Sequence, residues 1–166
     1  AGVYVDAVSA FTMSGGEIIN NTNVDNGGGV YLNYDSCKLI MTGGTISGNT
    51  ATSKGGAVFM HDSSADSHAT FQIGGSAYLP YGNEINSNDV YILDTHALII
   101  VTAELTKTKP VATITPAQSS LTDVYTSAGT RKLINVEASN ATFTADTFAL
   151  TNDSYYIDTD GILKAK

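Results

Sequence analysis

Cysteine is nearly missing from this chain. Cys37 stands alone, so neither an intrachain disulfide nor a cysteine metal cluster is possible. Tryptophan is absent and proline occurs three times. Charge is scarce: only 14% of the 166 residues are Asp, Glu, Lys or Arg, against about a quarter in an ordinary soluble domain. Basic charge is the scarcest, with eight Lys and Arg against sixteen Asp and Glu and a net charge of −8. That balance argues against nucleic acid or an anionic membrane as partner, because both need a basic footprint. The longest apolar run, Ala97–Val101, is one strand long and far too short for a bilayer helix, so no membrane insertion is expected. The opening residues, Ala1-Gly2-Val3-Tyr4-Val5, carry no signal-peptide pattern. They already lie inside a repeat, so the chain is expected to be a piece of a longer protein.

What is present is a repeat. Val3-Tyr4-Val5, Val30-Tyr31-Leu32, Val58-Phe59-Met60 and Val90-Tyr91-Ile92 begin successive copies, 27, 28 and 32 residues apart. A fixed period of this size signals a stacked architecture. Each early copy holds three strand candidates: the Val-aromatic-aliphatic triplet, then Phe11-Thr12-Met13 or Leu39-Ile40-Met41, then a segment around Ile18 or Ile46. Gly15-Gly16, Gly43-Gly44 and Gly74-Gly75 separate the second from the third. No helical periodicity is sustained, and β-branched and aromatic residues fill the strands. Short strands with glycine corners imply a chain coiling about an axis. Each strand then pairs in parallel with its equivalent one coil on, about 4.8 Å away.

Alternation along a strand assigns faces. Val3, Val30, Val58, Val90 and their partners Val5, Leu32, Met60, Ile92 are expected inside. So are Phe11, Leu39, Phe71 and Met13, Met41, Ile73, with Ile18, Ile46 and Ala77 as a further inner column. Tyr4, Tyr31, Phe59 and Tyr91 should then form an outward aromatic column, a flat strip able to receive a sugar ring or an apolar side chain; the rival readings are that the rings only stabilise the strands or that the C-terminal segment folds over them. Cys37 shares the parity of Leu39 and is expected to be buried and inert. Asn21 and Asn49 align and suit a stacked corner.

The motifs Gly-Gly-Gly-Val-Tyr (27–31), Gly-Gly-Ala-Val-Phe (55–59) and Gly-Gly-x-Ile-x-x-Asn (15–21, 43–49) resemble the repeats of chlamydial polymorphic outer-membrane proteins and related bacterial surface proteins. The family's Phe-x-x-Asn motif is not matched, since Thr12-Met13-Ser14 follows Phe11. The resemblance spans about residues 1–101. It implies a right-handed parallel β-helix of the pectate-lyase-like superfamily, shown on a bacterial cell surface or secreted. It further implies adhesion or contact with a host or neighbouring-cell surface protein or glycan. The shared motifs are structural, so no functional residue carries over.

The division expected is regular coils over 1–101, then irregular terminal coils and a C-terminal hairpin cap over 102–166 in the same domain. Asp160-Gly161 between short apolar runs is the hairpin signal. A monomer is expected, and no cofactor. His61, Asp62, Asp66 and His68 are the best metal-like group, with two imidazoles and two carboxylates in one loop. Turn chemistry in a solvated corner explains them more simply. Asp25, Asp89 and the Asp158/Asp160 pair lack the dense spacing of calcium loops. The outward positions Thr12, Ile40 and Gln72 offer no acid–base pair of the kind polysaccharide cleavage needs, nor a threonine array. Arg131, the one arginine, lies outside the regular copies. Non-catalytic display and adhesion is therefore the expected role. A carbohydrate-binding or carbohydrate-cleaving β-helix and a passive stalk are its rivals.

Overall fold

A computed structural model describes all residues except 24, 35, 62–67, 81–86, 94–95, 118–130 and 140. The described residues are all β, without a helix. Two parallel sheets run the length of the molecule. The first contains β1 (Val3–Val5), β4 (Val30–Leu32), β7 (Val58–Met60), β9 (Val90–Ile92), β11 (Ala112–Pro116) and β13 (Phe148–Leu150), in that order. The second contains β2 (Ala10–Ile19), β5 (Lys38–Ser47), β8 (Thr70–Gly75), β10 (Leu98–Leu105) and β12 (Ile134–Val136). The first sheet takes its first four strands from the four copies in turn, with Val3 beside Val30, Val30 beside Val58 and Val58 beside Val90. This is a parallel β-solenoid of about four turns.

The core lies between the sheets, and the inner columns fill it. Val30, Val58, Val90, Leu32, Met60 and Ile92 are fully buried, as are Leu39, Phe71, Met41 and Ile73. Burying each such side chain is worth roughly 1.5–3 kcal/mol. Every column is covered only where a neighbouring coil lies on both sides, which makes stability a property of the stack.

Two details depart from the expected coil, the course of the glycine-pair strand and the third-copy column. In the first two copies the second and third strand candidates are one ten-residue strand, β2 or β5, bent at its glycine pair. Gly16 and Gly44 take φ of 81° and 91° there, a left-handed bend open mainly to glycine. The bend keeps the ladder intact, and Ile18 still pairs with Ile46. In the third copy a bridge joins Thr45 to Tyr78, which brings Leu79 rather than Ala77 level with Ile46. Ala77 is buried too, but two extra residues after Gly75 displace it from the column. Beyond residue 101 both sheets continue, through β11 and β13 in the first and β12 in the second. An antiparallel pair, β14 (Tyr155–Ile157) and β15 (Leu163–Ala165), ends the chain, with Ile157 and Leu163 in the core.

The corner after the bent strand carries an amide ladder. Short strands β3 (Thr22–Asn23) and β6 (Thr50–Ala51) pair beside it. The Asn49 side chain donates to Ile18 O at 2.8 Å, and its Oδ1 accepts Asn21 N–H at 2.9 Å. Asn88 repeats both contacts one coil later, donating to Ile46 O at 2.9 Å and accepting Asn49 N–H at 3.4 Å. Each asparagine thus binds back onto the coil before it. The return corner needs glycine for a different reason. A Cβ on Gly28 would lie 2.4 Å from Thr50 O and 2.6 Å from Gly56 O, so adjacent coils approach too closely there for any side chain.

Candidate functional site

Register places the four aromatic side chains in one outward column, with Tyr4 beside Tyr31, Tyr31 beside Phe59 and Phe59 beside Tyr91. Ring centroids are 5.3, 5.0 and 5.7 Å apart along the column. Tyr4–Tyr31 and Phe59–Tyr91 are stacked, with interplanar angles of 18° and 12°. The stacked rings turn faces toward one another, as the coil spacing leads one to expect, and the exposed members present their edges.

Exposure falls steeply along the column. Tyr4 is 58% exposed, Tyr31 is half-buried, Phe59 is 2% and Tyr91 8% exposed. Phe59, Tyr91 and Ala117 form a small second core outside the sheet, with Leu93 and Tyr31 packed against it. Ala117 is held there by its N–H to Ile92 O at 2.8 Å, and Lys54 Nζ sits 5.0 Å from the Tyr91 ring centre. Phe59 and Tyr91 point outward as parity requires, but chain from the fourth coil onward covers them. As contact residues they are corrected to structural ones.

The open end has further members. The Asn33 amide donates to the Asp6 carboxylate at 3.2 Å. Exposed Tyr34 meets the His61 ring edge-on at 5.1 Å, and His61 also packs on Phe59. Partial burial raises the pKa of both Tyr4 and Tyr31. The Asp6 carboxylate and Tyr34 add to the effect at Tyr4, and Tyr4, Asp25 and Tyr34 add to it at Tyr31. A hydrogen bond from the Asn33 side chain to the Tyr4 hydroxyl works in the opposite direction. Tyr4, Asp6, Tyr31 and Tyr34 make a ridge of ring edges, hydroxyls and one carboxylate, while Asn33, whose amide binds Asp6, is buried. Sequence reading did not find Asn33, Tyr34 or Asp6 for this site. Asp6 and Asn33 are 27 residues apart, which is the first repeat interval, so the period itself was the available signal.

The proposed metal-like loop is not assembled from its described members. His61 is engaged with Tyr34 and Phe59, whereas His68 stacks on His96 at 5.3 Å. Asp62 and Asp66 lie outside the described residues. Among the described residues no three His, Cys, Asp or Glu side chains come together as a metal site. Two of the aspartates singled out at corners, Asp89 and Asp158, have structural partners. Asp158 Oδ1 accepts the Asp160 and Ile162 N–H groups of the terminal hairpin turn. Asp89 is fully buried; it accepts Gly56 N–H at 2.8 Å and the Thr115 hydroxyl. Loss of water around Asp89 raises its carboxyl pKa, and those two hydrogen bonds partly offset this. Cys37 is buried in the core cluster, its thiol against the Val5, Asp6 and Asn33 carbonyls. Burial pushes the thiol pKa up, which makes it a poor nucleophile.

Outward rows of the second sheet are short of chemistry. Ala10/Lys38/Thr70/Leu98 and Thr12/Ile40/Gln72/Ile100/Asn135 hold Lys38 as their single charged side chain. No protein-family model, curated protein or solved structure matches the chain.

Proposed function

We propose that this chain is a non-catalytic display and adhesion segment of a bacterial cell-surface or secreted protein, extracellular in location. On this reading its winding is right-handed and its repeats are of the chlamydial polymorphic outer-membrane-protein type. The glycine-corner motifs support that assignment. The observation that carries the functional reading is the ridge at the first two coils. Tyr4 and Tyr34 are 58% and 49% exposed there, on a rigid stack whose outward rows are almost uncharged. Exposed tyrosine edges, rigid and low in side-chain entropy, suit contact with a partner surface. The partner is a protein or glycan on a host or neighbouring cell.

A glycan is the second reading, and the exposed Asp6 carboxylate beside Tyr4 favours it, because a carboxylate next to an aromatic ring can accept from sugar hydroxyls. The test is Tyr4→Ser combined with Tyr34→Ser, measured for binding to host cells and to immobilised glycans. Binding should fall at least tenfold, with little change in melting, because exposed cross-strand aromatic pairs contribute only about 0.2–1 kcal/mol each. Loss on cells alone assigns a protein partner, and loss on glycans assigns a sugar. Undiminished binding on both would show that the ridge is not the contact surface, and absence of binding by the unmodified chain would leave the stack as a passive stalk.

A further inference from the structure

A groove of about 300 Å³ opens where the chain leaves the first sheet for the terminal hairpin. That is the low end of the range for small-ligand sites, about 300–1,000 Å³. β13 lines one part of it and β14 another, and exposed Pro110, Ala145 and Asp146 complete it. After β13 the chain turns at residues 151–154 and runs into the antiparallel pair. Thr147 O accepts Val111 N–H at 2.9 Å, and Thr151 N–H donates to Ile114 O at 3.1 Å. Alternation along the parallel ladder then turns the backbone groups of Phe148 and Leu150 away from β11.

The apolar lining is anchored in the core. Phe148 and Ile157 are buried core residues, and half-buried Leu150 and Tyr155 pack against them. The polar lining falls into two kinds. Asp146 is engaged: it accepts the Thr144 hydroxyl and pairs with Lys109 Nζ at 3.6 Å. Asp153, Tyr156 and Lys166 also line the groove, and their side-chain polar groups have no hydrogen-bond or ion-pair partner among the described residues. Tyr156 is 40% exposed. Lys166 is placed by its backbone N–H, which donates to Ser154 O at 2.9 Å. With Lys109 beside Asp146 and Lys166 beside the same groove as Asp153, carboxylates and ammonium groups are equal in number. The net charge therefore selects neither a cation nor an anion.

We propose that this groove binds a neutral pyranose sugar. The C–H face of the ring packs on the apolar lining and on Tyr156. Asp153 accepts sugar hydroxyls in charge-assisted hydrogen bonds, while Lys166 and the Tyr156 hydroxyl donate to sugar oxygens. Each unengaged polar group thereby gains a partner of the right kind. A peptide strand is the poorer occupant, because the free edge of β13 is three residues long. The inference does not rest on the tyrosine ridge, which is built on β1 and β4 at the other end of the first sheet.

The test is a titration of the isotope-labelled chain with methyl glucoside, methyl galactoside, methyl mannoside and N-acetylglucosamine, followed by amide chemical shifts. The titration runs to about 100 mM, well above the millimolar affinities of weak specific binding. At least one sugar should shift the Ala149, Tyr155 and Tyr156 amides saturably. Asp153→Ala and Tyr156→Ser should each weaken that binding at least fivefold with little change in melting, since both side chains are exposed. Tyr4→Ser combined with Tyr34→Ser should leave it unchanged. The proposal is overturned if none of the sugars moves those amides, or if the shifts map to the tyrosine ridge instead. It is equally overturned if both groove substitutions leave the binding intact, or if glucuronate or tetramethylammonium binds there more tightly than every neutral sugar, which would assign the groove to a charged ligand.

Discussion

Asp89 shows how a residue can look functional and be architectural. It stands at the corner where earlier copies carry Gly29 and Ala57, and its carboxylate caps Gly56 N–H and the Thr115 hydroxyl. Burial raises its pKa, so the folded state holds the proton more tightly than the unfolded chain. Stability from this group is therefore greatest below the ordinary carboxylate range. It falls as pH rises toward the raised value and levels off above it. In Asp89→Asn, the amide can accept from Gly56 and donate to Thr115 without a charge. The variant's melting temperature, relative to the parent, should climb between pH 4 and pH 7. A pH-independent difference would contradict the buried carboxylate. Residue parity was legible in the sequence because the period of two is strict: Tyr4 and Tyr31 point out, and Cys37 points in. A later segment folding over the column was one reading of the sequence, but which rings it reaches was not legible, since Ala117 meets Phe59 and Tyr91 from another coil with no periodic mark.

Among the elements, the strands of the regular copies could be read directly from their Val-aromatic-aliphatic triplets. The glycine pairs were visible as corners, but not as bends within one strand. A Gly-Gly pair reads alike in a turn and in a strand that keeps its pairing, and only the ladder from Ile18 to Ile46 distinguishes them. The asparagine column was half legible. Asn21 and Asn49 precede their next triplets by the same interval, while Asn88 sits two residues before Val90, because the third coil spends its length elsewhere. At the C-terminal end, Asp160-Gly161 marked the hairpin, and β14 with β15 seats Ile157 and Leu163 against the last coil. Removing residues 146–166 uncovers the outer edge of β11 and the apolar ends of the columns. An uncovered parallel edge pairs with other chains. The truncated protein should melt at least 5 °C lower and self-associate in light scattering at micromolar concentration. A truncated monomer with unchanged melting would show that the hairpin covers nothing.

At the scale of the whole molecule, function was less legible than fold because the repeat motifs encode corners, and many unrelated activities occupy the same solenoid. The ridge of Tyr4, Tyr31 and Tyr34 depends on two coils lying side by side. Everything proposed for it therefore rests on the register between coils. That register predicts a specific cross-link. Thr12 and Ile40 are direct partners on the outward face of β2 and β5, so their Cα atoms lie about 4.8 Å apart, within the range a disulfide spans. The Thr12→Cys, Ile40→Cys double variant should oxidise to an intramolecular disulfide in the native protein, leaving melting equal or higher. Pairing Thr12→Cys with Met41→Cys, whose side chain faces the core, should leave both thiols free until the protein unfolds. If instead the Thr12/Met41 pair cross-links in the native state and the Thr12/Ile40 pair does not, the coils are offset by one residue and the assigned faces are reversed.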